Sequence, residues 1–490
     1  MSEYPIANPA AARTLGRALR RIGYSEDALE ALSEDDDANE GEDATVADRR
    51  LPQTHLGIAV RSLYFQLPVA RTDAVRALGR DAVEAAEAIG LVDPGTRFAP
   101  RARIMPVDSL LIASDDFPGA ESDPPPDYVA AYTPTSRICD SLTPRRRVER
   151  ALDVGTGSGV LGLLSARHAR HVVATDVNAR ALAFGELNAA LNGLTNIDFS
   201  HGSLFEPVEG ELFDLITCNA PYVVSPENRW AYRDSGFEGD EISERVVREA
   251  AAHLTEDGFA TLLVSWVAED ANEPDVRPNE WIESLDCDAW ILAVWGSDAL
   301  AHAATWNEPL ADEPAKFGEV LDTWTSYLER LRVRWVSEGA IVLHRREGKR
   351  HAVRVDSVDE EALLAAGEQI ERAFGSRAKL SALRRTDDLL QQPLGVAMPL
   401  LLEHELEPKR GRTAVVSTTL QLAEGTQSVV DGSARALEIV ATLDGTAPLG
   451  EIIRRAAERA ALSESEESRL SREVLRQARE LLELGALRFA

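Results

Sequence analysis

Lysine is nearly missing from this 490-residue chain: only Lys316, Lys349, Lys379 and Lys409 occur, and arginine supplies the rest of the 52 basic residues. Cysteine is scarce as well. Cys139, Cys218 and Cys287 lie far apart and form no CxxC pair, which argues against a thiolate zinc site and fits a reducing compartment. No uninterrupted apolar run approaches the ~20 residues of a membrane span. The opening stretch MSEYPIANPAAARTLGRALRR also lacks the apolar segment of a signal peptide. A soluble, cytoplasmic protein with no metal centre and no membrane partner is expected.

What the chain has in excess is negative charge, with 82 acidic against 52 basic residues and a formal net charge of −30. A field of that sign repels polyphosphate, which argues against a general nucleic-acid coat and disfavours docking on RNA. A local basic patch would escape that argument. The length favours about three domains on a soft prior of roughly 150 residues each, and a 44% hydrophobic content suffices for a buried core.

Residues 1–116 read as a small helical unit. Leu15, Leu19 and Ile22 keep helical spacing, as do Val75, Leu78, Ala82 and Ala85. The run SEDDDANEGED (33–43) has almost nothing apolar to bury and reads as a solvated loop, or alternatively as a docking surface for a basic partner. A helix closing on Gly90 and a two-strand wing turned at Pro94-Gly95 would make the unit winged-helix-like. The proline-rich, acidic segment FPGAESDPPPD (117–127) marks a boundary. Over 117–349 short apolar runs then alternate with helical stretches, the pattern of an α/β domain. Strands are expected at 150–154, 171–176, 197–201, 213–218, 258–265, 289–295 and 340–346, and helices at 160–168, 179–192, 241–254 and 314–334. Residues 350–490 form a third unit whose tail reads helix, turn, helix, helix and strand, again mainly helical and winged-helix-like.

The informative segment is LDVGTGSGVLG (152–162), a strand running into glycines and then a helix. Glycines let the backbone turn sharply and approach a ligand, and the helix N-terminus favours negative charge. Gly157, Gly159 and Gly162 could be parsed as a dinucleotide GxGxxG. The strand ends at Val154, however, so the first turn glycine is Gly155 and the register is GxGxG preceded by Asp153. An acid there would repel a pyrophosphate and attract the α-ammonium of S-adenosyl-L-methionine. Gly155, Thr156, Gly157 and Gly159 are therefore the expected cofactor turn. The next strand ends at Asp176, followed by Val177, where an open α/β sheet places an acid for ribose hydroxyls. Ser203 and Leu204 in HGSLFEP are placed to border the adenine.

The fourth strand, FDLITC, runs into Asn219-Ala220-Pro221-Tyr222. The series LDVGTGSG, ATD, GSLFEP and FDLITCNAPY resembles the class I methyltransferases that carry an (Asn/Asp/Ser)-Pro-Pro-(Tyr/Phe/Trp) motif. The stretch RDSGFEGDEISERVVREAAAHLTEDGFATLLVS is similar to the post-motif loop, helix and fifth strand of release-factor glutamine methyltransferases and their small-domain relatives. This resemblance covers residues 130–346. It implies a seven-stranded Rossmann-like sheet, S-adenosylmethionine as cofactor, and in-line methylation of nitrogen on a planar group: adenine N6, guanine N2 or a glutamine amide. Such a nitrogen is a poor nucleophile because its lone pair is delocalised, and a site that accepts its N–H hydrogens orients it and raises its electron density.

Carried over, Asn219 Oδ1 and the Ala220 carbonyl accept those hydrogens, Pro221 shapes the turn and Tyr222 stacks on the acceptor, with Asn219 also bordering the cofactor. Two departures stand out. Ala220 replaces the usual proline, which keeps the carbonyl but loosens the turn, and Ser203 stands where relatives often carry an acid. Arg233 and Asp234 are candidates either to gate the pocket or to form a surface ion pair. The favoured acceptor is a glutamine of a protein, with a translation factor as partner. The alternatives are an exocyclic amino group of rRNA or DNA, with PRRRVER (144–150) meeting phosphate, and a regulator that binds the cofactor without catalysis.

Overall fold

The computed structural model describes residues 5–32, 44–115, 125–227, 236–347, 351–361, 363, 365–409 and 412–490. The acidic run 33–43, most of the 117–127 connection, and Arg233 and Asp234 lie outside the described residues.

The N-terminal unit begins with α1 (Pro9–Arg21), where the Asn8 side chain accepts the Ala11 N–H and Ala12, Leu15 and Leu19 are buried. The wing expected at Pro94-Gly95 is displaced. Arg97–Phe98 pairs instead with Val69–Ala70, and the hairpin that follows joins β1 (Arg103–Val107) to β2 (Leu110–Ser114). Its two turn residues, Asp108 and Ser109, have φ of 38° and 67°. Left-handed backbone at both positions matches the twist of the flanking strands, a geometry that proline cannot adopt.

The central sheet contains β3 (Val148–Val154), β4 (Ala169–Asp176), β5 (Ile197–His201), β6 (Phe213–Asn219), β7 (Leu254–Ala268), β8 (Cys287–Asp298), β9 (Trp335–Arg345) and β10 (Val353–Ser357). Their order is β10-β8-β9-β7-β6-β3-β4-β5. Only β9 runs antiparallel to its neighbours in this sheet. All seven expected strands are present in a Rossmann-like arrangement. The eighth, β10, adds parallel to β8 and lies beyond residue 349, so the sheet extends past the boundary expected there. It is an edge strand of alternating half-buried and exposed residues, fastened by the Trp290 indole N–H donating to Asp356 at 2.7 Å.

Around the sheet lie α2 (Pro134–Leu142), α3 (Val160–Ser165), α4 (Ala179–Asn192) and α5 (Glu241–Ala252). Two helices are inserted between β8 and β9: α6 (Ala299–Trp306), which was not expected, and α7 (Pro314–Arg330). In the C-terminal unit the helices Ala434–Ala441, Leu449–Arg459 and Glu464–Glu483 and the strand Leu487–Phe489 keep the expected order, with a short strand, Asp444–Pro448, where only a turn was expected. The segment Pro393–Val396 completes their three-stranded sheet. α8 (Gly367–Ala382) ties this unit to the central sheet, with Phe374 edge-on to Phe259 at a centroid distance of 5.7 Å.

The N-terminal unit docks through α4, whose Phe184, Leu187 and Leu191 share a core with Leu15, Leu19 and Ile104. A Cβ at Gly16 would lie 2.1 Å from the Leu191 carbonyl oxygen, so only glycine lets α1 approach this closely. Asn192 Oδ1 accepts the Leu111 N–H at 2.9 Å, and its Nδ2 donates to the Leu111 carbonyl at 2.8 Å. Asn188 does the same for Ala113, at 2.7 and 2.9 Å, and also donates to the Ser158 carbonyl at 2.8 Å. Among the described residues no helix is long and apolar enough to cross a membrane.

Candidate active site

The C-terminal ends of β3, β4 and β6 open on one cavity of about 560 Å³, the crevice where open α/β sheets bind ligands. Gly155, Thr156, Gly157, Asp176, Val177, Ser203, Leu204, Asn219, Ala220, Pro221 and Tyr222 all line it. Sequence reasoning overlooked the opposite wall: the 128–136 segment with Tyr128, Thr135 and Ser136, together with Phe237 and Trp306. No local signal marks these residues, because they reach the cavity only through the fold.

Two expected cofactor residues sit elsewhere. Asp153 lies behind the glycine turn, fully buried. Its Oδ2 accepts from the Thr156 hydroxyl at 2.5 Å and the Gly162 N–H at 2.9 Å, and its Oδ1 accepts from the Thr217 hydroxyl at 2.8 Å. A side chain turned inward onto three donors is not offered to an ammonium, so Asp153 braces the turn instead. Burial raises its pKa to about 6, with those hydrogen bonds pulling the other way. Gly162 permits the brace, since a Cβ there would stand 3.2 Å from Asp153 Oδ2. Gly159 also faces away from the cavity. Its own Cβ would meet Gly185 Cα at 3.1 Å, which makes it the point of contact between turn and α4.

Gly155 and Gly157 have φ of 65° and 55°, and a Cβ on either would meet nothing within 4 Å. Their backbone is therefore open to a ligand. The Asp176 carboxylate accepts the Gly157 and Asn178 N–H groups, each at 2.8 Å, which fixes it at the cavity rim. In the same wall the buried Ser158 hydroxyl has no hydrogen-bond partner in the protein. An open glycine backbone, an acid at a strand end and an orphaned hydroxyl fit S-adenosylmethionine.

At the other end, Tyr222 N–H donates to the Ala220 carbonyl at 2.9 Å. This i to i+2 bond closes a γ-turn centred on Pro221, whose ring presets the φ that an inverse γ-turn needs. The turn thus keeps its shape although Ala220 replaces proline. Ser265 Oγ donates to the Tyr222 carbonyl at 2.5 Å and anchors the turn to β7. Asn219 Nδ2 donates to Thr135 Oγ1 at 3.1 Å and to Ser136 Oγ at 3.3 Å. Cys218, beside it, is fully buried, and burial pushes its thiol pKa up, so it packs rather than reacts.

The arginines of 144–150 are largely engaged in ion pairs: Arg145 with Asp140, Arg146 with Asp257 at 2.8 Å, and Arg150 with Glu211. They make a poor phosphate patch. Among the described residues no group of three or more His, Cys, Asp or Glu is placed to hold a metal ion.

The family model of the methyltransferase small domain matches residues 135–269. The ribosomal protein uL3 glutamine methyltransferase of Bradyrhizobium diazoefficiens is 34% identical over 164 residues, covering 30% of this chain and 51% of that protein. Its counterpart in Xanthomonas campestris is 31% identical over 180 residues, or 33% and 57% of the two chains. The release factor glutamine methyltransferase of Deinococcus radiodurans is 38% identical over 136 residues, or 25% and 48%. This chain spans about half the length of the curated relatives it matches. The matched segment holds both turns of the cavity, so the resemblance read from the Asn219–Tyr222 motif is borne out as a similarity of residues 135–269 to the methyltransferase small domain.

Proposed function

We propose that this protein is an S-adenosylmethionine-dependent N-methyltransferase that modifies the side-chain amide of a glutamine in a protein of the translation machinery. The observation behind this reading is that one cavity joins the open glycine turn to the Asn219–Tyr222 turn. The names of the relatives, which specify glutamine methylation of ribosomal protein uL3 and of release factors, favour an amide over a base as acceptor. Net charge and the engaged arginines weigh against a polyphosphate acceptor.

The cofactor supplies a methyl group activated on a sulfonium. Gly155, Gly157 and Ser158 hold it from the sheet side, Asp176 takes ribose hydroxyls, and Ser203 and Leu204 border the adenine. Asn219 Oδ1 and the Ala220 carbonyl each accept one N–H of the acceptor amide, which turns the nitrogen toward the methyl. The Ala220 oxygen already takes the Tyr222 N–H, and its second lone pair serves the acceptor. Tyr222 offers a flat, nearly buried ring, and burial raises its phenol pKa, so the wall stays neutral. Positioning supplies most of the rate, and no covalent enzyme intermediate is needed.

Labelled S-adenosylmethionine incubated with the protein and a cell extract tests this directly. Label released by protease, and mapped to a glutamine side chain, is the expected result. Label released by nuclease would overturn it in favour of a base nitrogen.

A further inference from the structure

Asn219, one of the two side chains assigned to the acceptor, is held by residues from a distant part of the chain. Thr135 lies in the first turn of α2, 84 positions before Asn219, and its hydroxyl receives Asn219 Nδ2 at 3.1 Å. Ser136 Oγ receives Nδ2 as well, at 3.3 Å.

Around Asn219 three hydroxyls of α2 and its cap form a cluster. Thr133 caps α2 by accepting the Ser136 N–H at 3.1 Å, and its Oγ1 stands 2.9 Å from Thr135 Oγ1 and 3.0 Å from Ser136 Oγ. With Ser136 donating to Thr133 and Thr133 to Thr135, the oxygens of Thr135 and Ser136 are left to accept the two Nδ2 hydrogens of Asn219. An Asn219 amide turned over would set Oδ1 against the Ser136 oxygen, whose hydrogen is already given to Thr133. It would also set Nδ2 against the N–H groups of the acceptor.

Resting on the transferase reading above, we infer that Thr135 is a positioning residue, with Ser136 as its support: it locks Asn219 with Oδ1 toward the acceptor.

The test compares Thr135→Val, which removes the hydroxyl at nearly constant volume, with Thr135→Ser, which keeps it. For each protein the rate of methyl transfer from labelled S-adenosylmethionine into the protein fraction of a cell extract is measured at saturating cofactor. The cofactor dissociation constant is measured separately by calorimetry. Thr135→Val is expected to slow transfer roughly ten- to a hundredfold while leaving cofactor affinity within about twofold, and Thr135→Ser to recover most of the rate. Wild-type rate in Thr135→Val overturns the positioning role. So does a Thr135→Ser variant as slow as Thr135→Val, or parallel loss of cofactor binding, which would mark a packing role. A wild-type protein that transfers no methyl overturns the transferase reading, and this inference falls with it.

Discussion

The turns after β3 and β6 leave adjacent strands and face one cavity, yet they are stiffened from opposite sides. The glycine turn is braced from within. Asp153, two residues before Gly155, reaches back under the loop to Thr156, Gly162 and the neighbouring Thr217. The Asn219–Tyr222 turn is held from across the cavity by hydroxyls of α2 and by Ser265 on β7. The glycine turn is thus stiffened mostly by its own strand–turn–helix segment, with Thr217 added from β6. The Asn219–Tyr222 turn draws its supports from two separated segments, α2 and β7.

Substitutions at each turn probe this difference. The largest effect is expected from Asn219→Ala: methyl transfer should fall at least about a hundredfold, the scale for removing one positioned polar group from a reacting centre. Cofactor affinity by calorimetry should barely change. A matching loss of affinity would mean that the two turns are not separable.

Next comes Asp153→Ala, which strands the Gly162 N–H and two hydroxyls in a buried space. Thermal or denaturant unfolding should show a loss of about 2–4 kcal/mol, and the cofactor dissociation constant should rise about tenfold or more. Wild-type affinity would remove the inner brace from the comparison.

The smallest effect is a pH dependence. The folded pKa of Asp153, about 6, lies above that of an unfolded aspartate, so the fold favours the protonated form. Its contribution to stability is therefore fullest in acid and is lost as pH rises through 6. Between pH 7 and pH 5 wild type should gain about 1 kcal/mol relative to Asp153→Asn. Unfolding curves of both proteins that move in parallel over that range would contradict the sign.

These supports also explain what could be read from the chain. Gly155, Gly157 and Asp176 were legible because a strand end, a turn and a helix start are local events, and Asn219–Tyr222 were legible because the four residues are contiguous. Asp153 was found but misread. Its neighbours Leu152 and Val154 pack on one face of the sheet, so alternation along β3 sends the Asp153 side chain to the other face, beneath α3 and Gly162. Thr135, Ser136 and Trp306 carried no signal, because their relation to the motif exists only after α2 and α6 have packed. The edge strand β10 lacked an apolar run, and the β1–β2 hairpin turned at Asp108-Ser109 while a stronger turn dipeptide stood nearby.

Asn188 links the N-terminal unit to the cavity wall through one buried amide. One amide group holds the Ala113 backbone of the hairpin and the Ser158 carbonyl of the glycine turn at once. Losing that amide would therefore unsettle the hairpin and the glycine turn together.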